Sequence, residues 1–225
     1  MVDAASGANA PPPTAAPSPP SPPLPPAAPS AAAAYAARWR GVAAKPRPAP
    51  SPPVEAAWAF AGCVAGIGSL AALHFLLAMP AGLLMLTPSF AASAVLLYGA
   101  PASPLAQPRN VVLGHLSSAL VGVALRQVLV ALPAWPARVA AQGGAEAVAG
   151  TLAVALSTSL MMLCGVTHPP GAATALIAVT GGAAVTGLGF LFVPLVTAAA
   201  VVLVLAALVV NNLSGRASRH YPQAW

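Results

Sequence analysis

Pro88-Ser89-Phe90-Ala91-Ala92-Ser93-Ala94-Val95-Leu96 lies without gaps on Pro169-Pro170-Gly171-Ala172-Ala173-Thr174-Ala175-Leu176-Ile177, 81 residues further along the chain. The shared pattern is Pro-x-x-Ala-Ala-Ser/Thr-Ala-aliphatic-aliphatic, and each copy interrupts an apolar stretch. The first sits inside the run 81–100, behind Thr87. The second follows the run 147–166 through Thr167-His168 and ends at Gly181-Gly182. A helix needs about 20 apolar residues to cross a hydrocarbon layer about 30 Å thick. Four runs meet that length without interruption: 57–79, 111–134, 147–166 and 187–210. Each half of the chain therefore reads as span, broken helix, span, in repeats at about 57–134 and 147–210. The fold class is all-α: a polytopic helical membrane protein with four full spans plus two broken or re-entrant helices. If the broken segments cross, the repeats are inverted and there are six spans; if they re-enter, there are four. Either even number leaves both termini on one side, and the basic residues near both ends make that side cytosolic or stromal.

Composition leads to the same class. The 225 residues include nine basic and three acidic side chains, so charged residues make up 5 %, against about 25 % in a soluble domain. Hydrophobic residues reach 58 % and mean hydropathy is +0.81. A net charge of +6 raises the question of nucleic acid. However, Arg38, Arg40, Lys45 and Arg47 are crowded into one stretch, and no basic stripe carries interleaved aromatics, so a nucleic-acid partner is excluded. Cys63 and Cys164 form no CxxC pair and read as small packing residues. No histidine or cysteine pair falls at ligand spacing, so neither a metal nor another cofactor is expected. No nucleophile has a base and an orienting acid, so the chain does not read as an enzyme.

Residues 1–56 differ in kind, with 16 of the 27 prolines mixed with Ala and Ser. This leader is expected to be disordered, with polyproline character. It reads either as a transit peptide, acid-poor with Arg38-Trp39-Arg40 near its end, or as a flexible tail. The membrane domain is 57–212, and residues 213–225 form a basic tail.

In lipid, the start of a helix is a chemical feature. Its first N–H groups have no partner within the helix, and the dipole places positive charge there. Pro88 and Pro169 suit the first turn, and Thr87 and Thr167 are placed to cap it. Two such starts near the midplane would form a small electropositive pocket for an anion. Arg109 has no acid near it in sequence and could hold an anion through its guanidinium fork, with Gln107 and Asn110 as neutral donors beside it. His115 lies about 9 Å deeper along the same helix. His168 stands at the second break, where it could donate to an anion or carry a proton. Ser89, Ser93 and Thr174, the hydroxyls of the two repeated segments, complete the candidate substrate site. Arg126 is a secondary candidate placed to snorkel outward, and His74 is assigned a hydrogen bond between helices.

Ser103-Pro104-Leu105-Ala106-Gln107-Pro108-Arg109-Asn110, Gly114-His115 and His168-Pro169-Pro170-Gly171-Ala172-Ala173-Thr174-Ala175 together resemble the HPP family of integral membrane proteins. The resemblance covers about 57–212. It implies a transporter of a small monovalent anion, nitrite above all, in a chloroplast membrane, as in plastid members, or otherwise in the plasma membrane. The implied partners are the anion and the lipid bilayer, and a homo-oligomer is compatible with this reading. The alternatives are a membrane scaffold that recruits partners through its Pro-rich tail, and a carrier of another small solute.

Overall fold

The computed structural model describes residues 30–38, 49–130 and 135–225, and its contacts divide the chain into residues 1–49 and 50–225. In the first part, α1 (Ala31–Arg38) is an eight-residue helix with sequence AAAAYAAR and no buried residue. Alanine is the strongest helix former, and here its run overrides the extended polyproline character expected for the leader. The remaining leader residues, including Trp39, Arg40, Lys45 and Arg47, lie outside the described residues, as does any transit signal they carry.

The second part contains α2 (Pro53–Leu73), α3 (Ser89–Ala94), α4 (Pro108–Leu125), α5 (Ala137–Ala141), α6 (Gly144–Leu163), α7 (Pro169–Thr180), α8 (Ala183–Thr186) and α9 (Phe192–Leu213). Helices α2, α3 and α4 each continue through one wider π turn, to Ala78, Gly99 and Val130. Four stretches are long and apolar enough to cross a membrane: Pro53–Ala78, Pro108–Val130, Gly144–Leu163 and Gly189–Leu213. Ser89–Gly99 and Pro169–Thr180 are the two short apolar helices. Among the described residues there is no strand. The first span starts at Pro53, inside the expected leader, because proline's fixed φ suits the opening position of a helix. Glu146 sits in the first turn of α6.

Hydrogen bonds between distant residues show which way each segment runs. At one end of the bundle, the Glu55 carboxylate at the start of α2 receives Arg216 Nε at 2.7 Å and Arg219 Nη1 at 3.3 Å. Arg219 also donates to the Tyr98 carbonyl at the end of the α3 stretch, and Tyr221 Oη donates to the Ala106 carbonyl. Arg109 at the start of α4 donates to the Cys164 and Gly165 carbonyls just past α6. This tail end therefore gathers the starts of α2 and α4 and the finishes of α3, α6 and α9. At the far end, Arg126 donates to the Val179 carbonyl, which sets the finish of α4 beside that of α7.

Helix α7 consequently runs parallel to α4, away from the tail end. Its first turn begins where α6 has just arrived, so residues 164–180 carry the chain back across the bundle. In the other half, residues 83–87 are extended and bring the chain in from the far end. The α3 stretch then completes the crossing to the tail end. Each broken segment thus traverses the bundle rather than turning back, and the two repeats cross three times each in opposite senses, as inverted repeats do. The chain path is that of the inverted-repeat alternative, with four helices long enough to span a membrane and two short helices completing a traverse of the bundle.

Glycines set how closely these segments approach. A Cβ on Gly122 would lie 2.5 Å from the Ala175 carbonyl oxygen, and one on Gly114 would lie 2.6 Å from His168 Cβ. Helices α4 and α7 therefore meet backbone to backbone, as small residues allow in lipid. On α2, Gly62 and Gly66 form the bed for the buried Tyr98 ring, whose hydroxyl donates to the Leu203 carbonyl. The main core gathers Leu70, Phe90, Leu97, Tyr98, Val111, Phe192, Val196 and Leu203.

Two predictions follow from this packing and topology. A side chain at Gly66 would meet the Tyr98 hydroxyl at 2.0 Å. Gly66→Val should therefore destabilise the protein by about 1–3 kcal/mol in a detergent melt, whereas Gly68→Ala, which meets nothing within 4 Å, should not destabilise it. In sealed vesicles, the exposed Cys164 and a cysteine placed at Gln142 should react with a membrane-impermeant maleimide from opposite faces.

Candidate functional site

The two short helices start beside each other, and their first two turns are joined by side chains. Ser93, in the second turn of α3, lies 2.9 Å from Nε2 of His168, the residue that immediately precedes α7. Reciprocally, Thr174 Oγ1, in the second turn of α7, lies 2.8 Å from Ser89 Oγ at the start of α3. Ser89 in turn lies 2.9 Å from Thr87 Oγ1. At the repeat offset, Thr87 matches His168 and Ser93 matches Thr174. Each repeat thus sets a polar residue before its broken helix and a hydroxyl in its second turn. The hydroxyls also share a weaker contact, Ser93 Oγ to the Ser89 carbonyl at 3.3 Å and Thr174 Oγ1 to the Pro170 carbonyl at 3.4 Å.

His115 joins the two halves. Its Nε2 lies 2.8 Å from Ser93 Oγ and its Nδ1 lies 2.7 Å from Thr174 Oγ1, so one imidazole is held by matched hydroxyls from both repeats. Its ring packs against Phe90 at 4.8 Å between centroids and against His168 at 5.0 Å. His168 is fixed from the other side by the Leu105 carbonyl, 2.8 Å from Nδ1. His115, His168, Ser93 and Thr174 are fully buried, and Ser89 and Thr87 nearly so. His115 lies seven residues into α4, about 10 Å from the tail end. The six side chains form one continuous chain of hydrogen bonds inside an apolar bundle, where an unpaired polar atom would be costly.

Eight of the nine sequence-selected residues lie in this network or along its approach, but they fall into two groups. Ser89, Ser93, His115, His168 and Thr174 are the buried network. Gln107, Arg109 and Asn110 line a cavity of about 320 Å³ at the tail end, together with Gly165 and Gln223. There Gln107 Nε2 donates to the Pro101 and Ser103 carbonyls, and its Oε1 accepts from the Gln223 and Ala224 amides. Asn110 Nδ2 donates to the Thr167 carbonyl.

Four expectations change. Arg109 does not reach the half-helix starts; its exposed guanidinium caps the last carbonyls of α6. Neither threonine caps by its side chain, because His168 occupies the position before α7 and the Thr87 hydroxyl is taken by Ser89. Thr167 contributes its carbonyl to Asn110. Arg126, expected to snorkel outward, turns onto α7, and buried His74 Nδ1 has no hydrogen-bond partner. In place of an open pocket, the convergent starts enclose polar side chains.

The sequence reading passed over the tail. Arg219, nearly fully buried, bonds Glu55, the Tyr98 carbonyl and Asn211 Oδ1, and Asn211 Nδ2 donates to the Leu97 carbonyl. Arg219 and Glu55 stand 164 residues apart, so no local pattern announces the pair. Thr87 belonged in the site as well; its place at the repeat offset from His168 was the available signal.

Removing either hydroxyl beside His115 leaves an imidazole nitrogen buried without a partner. Ser93→Ala and Thr174→Ala should each cost about 1–3 kcal/mol of stability. The double variant should depart from additivity in a thermal-melt cycle, because both act on one ring.

Residues 48–222 match the family model described as HPP, transmembrane region. A transmembrane protein of Dictyostelium discoideum is 42 % identical over 193 residues, covering 85 % of this chain and 63 % of its own length. A second transmembrane protein of that organism is 40 % identical over 192 residues, covering 85 % of this chain and 57 % of its own. The chain thus spans about three-fifths of the curated relatives it matches. No solved structure matches it. The chain belongs to the HPP family and is an integral membrane protein.

Proposed function

We propose that this HPP-family chain is a transporter of a small monovalent anion, with nitrite in a plastid membrane as the substrate and setting that the family resemblance implies. It acts as a carrier rather than an enzyme and needs no cofactor. The observation that carries this reading is the meeting of two proline-started half-helices from inverted repeats on one buried polar cluster. Carriers built from inverted repeats bind at such broken helices, where helix starts favour anions, and then rock one repeat against the other. The shortage of carboxylates supports an anion over a metal cation, since cation paths usually display Asp or Glu. Among the described residues the acids are Glu55, bonded by Arg216 and Arg219, and Glu146 at the start of α6.

In this reading the closed cluster is an occluded conformation. Rocking separates α3 from α7, and the anion takes over the hydrogen bonds that Ser93, Thr174 and the histidines otherwise make to one another. Arg109, Gln107 and Asn110 form the mouth, where a cation that is permanently charged gathers anions before they enter.

Proteoliposomes should take up nitrite faster than protein-free vesicles. His115→Ala should abolish the difference. Arg109→Ala should raise the KM by about tenfold, the equivalent of about 1.4 kcal/mol for one lost charged contact. Equal uptake with and without protein would refute transport of nitrite.

A further inference from the structure

The buried network permits very few arrangements of its protons. The Leu105 carbonyl can only accept, so His168 Nδ1 carries a proton. Each of the remaining short contacts needs one proton, and each hydroxyl has one to give. When both rings are neutral, a single arrangement fills every contact. His168 Nε2 must accept from Ser93, so Ser93 must accept from Nε2–H of His115. His115 Nδ1 then accepts from Thr174, which in this neutral arrangement must accept from Ser89, and Ser89 accepts from Thr87. The opposite sense, with Thr174 Oγ1 donating to Ser89, is the one the structure shows and is the sense of the protonated relay. The longer contacts of Ser93 and Thr174 to backbone carbonyls, at 3.3 and 3.4 Å, are weaker competitors for the same protons.

We propose that Thr87, Ser89, Thr174, His115, Ser93 and His168 form a relay that takes up one proton and passes it between two imidazoles through the Ser93 hydroxyl. A proton arriving on Thr87 Oγ1 displaces the Thr87 proton to Ser89, the Ser89 proton to Thr174, and the Thr174 proton to Nδ1 of His115. His115 is then the imidazolium, with both nitrogens donating. Its Nε2 proton passes to Ser93 as Ser93 passes its own to Nε2 of His168. His115 is left neutral as the Nδ1–H tautomer, and His168 carries the charge. No atom is lost, every contact stays filled, and the hydroxyl chain from Thr174 to Thr87 is reversed. A second proton would place two cations on rings 5.0 Å apart in an apolar interior, so the relay holds one.

No other ionisable group on the surrounding elements enters the chain. On α4, Arg109 bonds the carbonyls after α6 and Arg126 bonds the Val179 carbonyl. At the end of the α3 stretch, the Tyr98 hydroxyl bonds the Leu203 carbonyl, and α2 brings Cys63 and, in its π turn, His74, neither of which bonds a member of the chain. Helix α7 carries no ionisable side chain. Helix α6 brings Glu146 in its first turn and is followed by exposed Cys164. Beyond α9, Arg216 and Arg219 bond Glu55, Tyr221 bonds the Ala106 carbonyl, and His220 is exposed. Ser93 is therefore a positioning and relay residue between the rings. The relay rests on this geometry alone; that its proton accompanies the anion, making the cycle electroneutral, rests on the transport reading.

The test uses the full chain in liposomes with His74→Gln and His220→Gln, so that only the two rings of the relay remain, labelled with ¹⁵N on histidine. At alkaline pH, His115 should be protonated on Nε2 and His168 on Nδ1. On acidification the pair should take up one proton in total, with the His115 Nδ1 resonance moving to the protonated range. Ser93→Ala should uncouple the rings and mix the His115 tautomers, while Ser93→Thr, which keeps the hydroxyl, should preserve both behaviours. His115 carrying its alkaline proton on Nδ1, or a pair that takes up two protons together or none, would overturn the relay. In parallel, the same vesicles with a trapped pH indicator are given nitrite, with protein-free vesicles as the control for passive leak. One proton entering per nitrite supports coupling. The ¹⁵N pattern without nitrite flux sustains the relay and refutes the transport reading. Nitrite flux without the ¹⁵N pattern refutes the relay and sustains transport, and flux with the pattern but no internal pH change overturns coupling.

Discussion

Hydrocarbon supplies no hydrogen bonds, so a chain that breaks its helix at membrane depth must find partners within the protein. Two breaks, one before Ser89 and one before Pro169, face this constraint, and the fold meets it by placing them against each other. The two breaks are tied by Ser93 to His168 and by Thr174 to Ser89, and His115 from α4 satisfies both halves with its two nitrogens. The glycines of α4 then take on a definite role. Without Gly114 and Gly122, α7 would stand too far off for Thr174 to reach the ring. Close backbone packing and buried polarity are in this sense one arrangement.

The outer parts of the bundle are subordinate to that centre. Wide π turns end α2, α3 and α4, and the one after α3 carries Leu97 and Tyr98 into the main core. Around the tail end, Arg219 satisfies the Tyr98 carbonyl at the finish of the α3 stretch, and Gln107 is clamped by the amides of Gln223 and Ala224. The segment from α3 to α4, which carries Leu105 against His168, is therefore braced from outside by residues that follow α9.

Much of this was legible in the residues. Apolar length located the four long spans, and the repeated Pro-x-x-Ala-Ala-Ser/Thr-Ala segment located the two breaks, because both signals are local and periodic. The repeat also singled out Ser93 and Thr174 as counterparts. The direction of the broken segments was not legible, since a half-helix with an extended approach has the same composition whether it crosses or turns back. Arg109 was misplaced for a related reason: its freedom from nearby acids is a property of sequence, whereas its partners are backbone carbonyls 55 and 56 residues away. Carbonyls leave no mark on composition, and neither does an ion pair as distant as Glu55 and Arg219.

The match between the halves fails at one position of consequence. His115 has Val196 as its counterpart at the repeat offset, and that valine is buried in the main core. A conformer in which the halves traded shapes would set an aliphatic group where the imidazole now ties both breaks together. Under the proposed transport cycle the two shapes are therefore unequal in energy, and the preferred resting orientation is written into a single unmatched side chain.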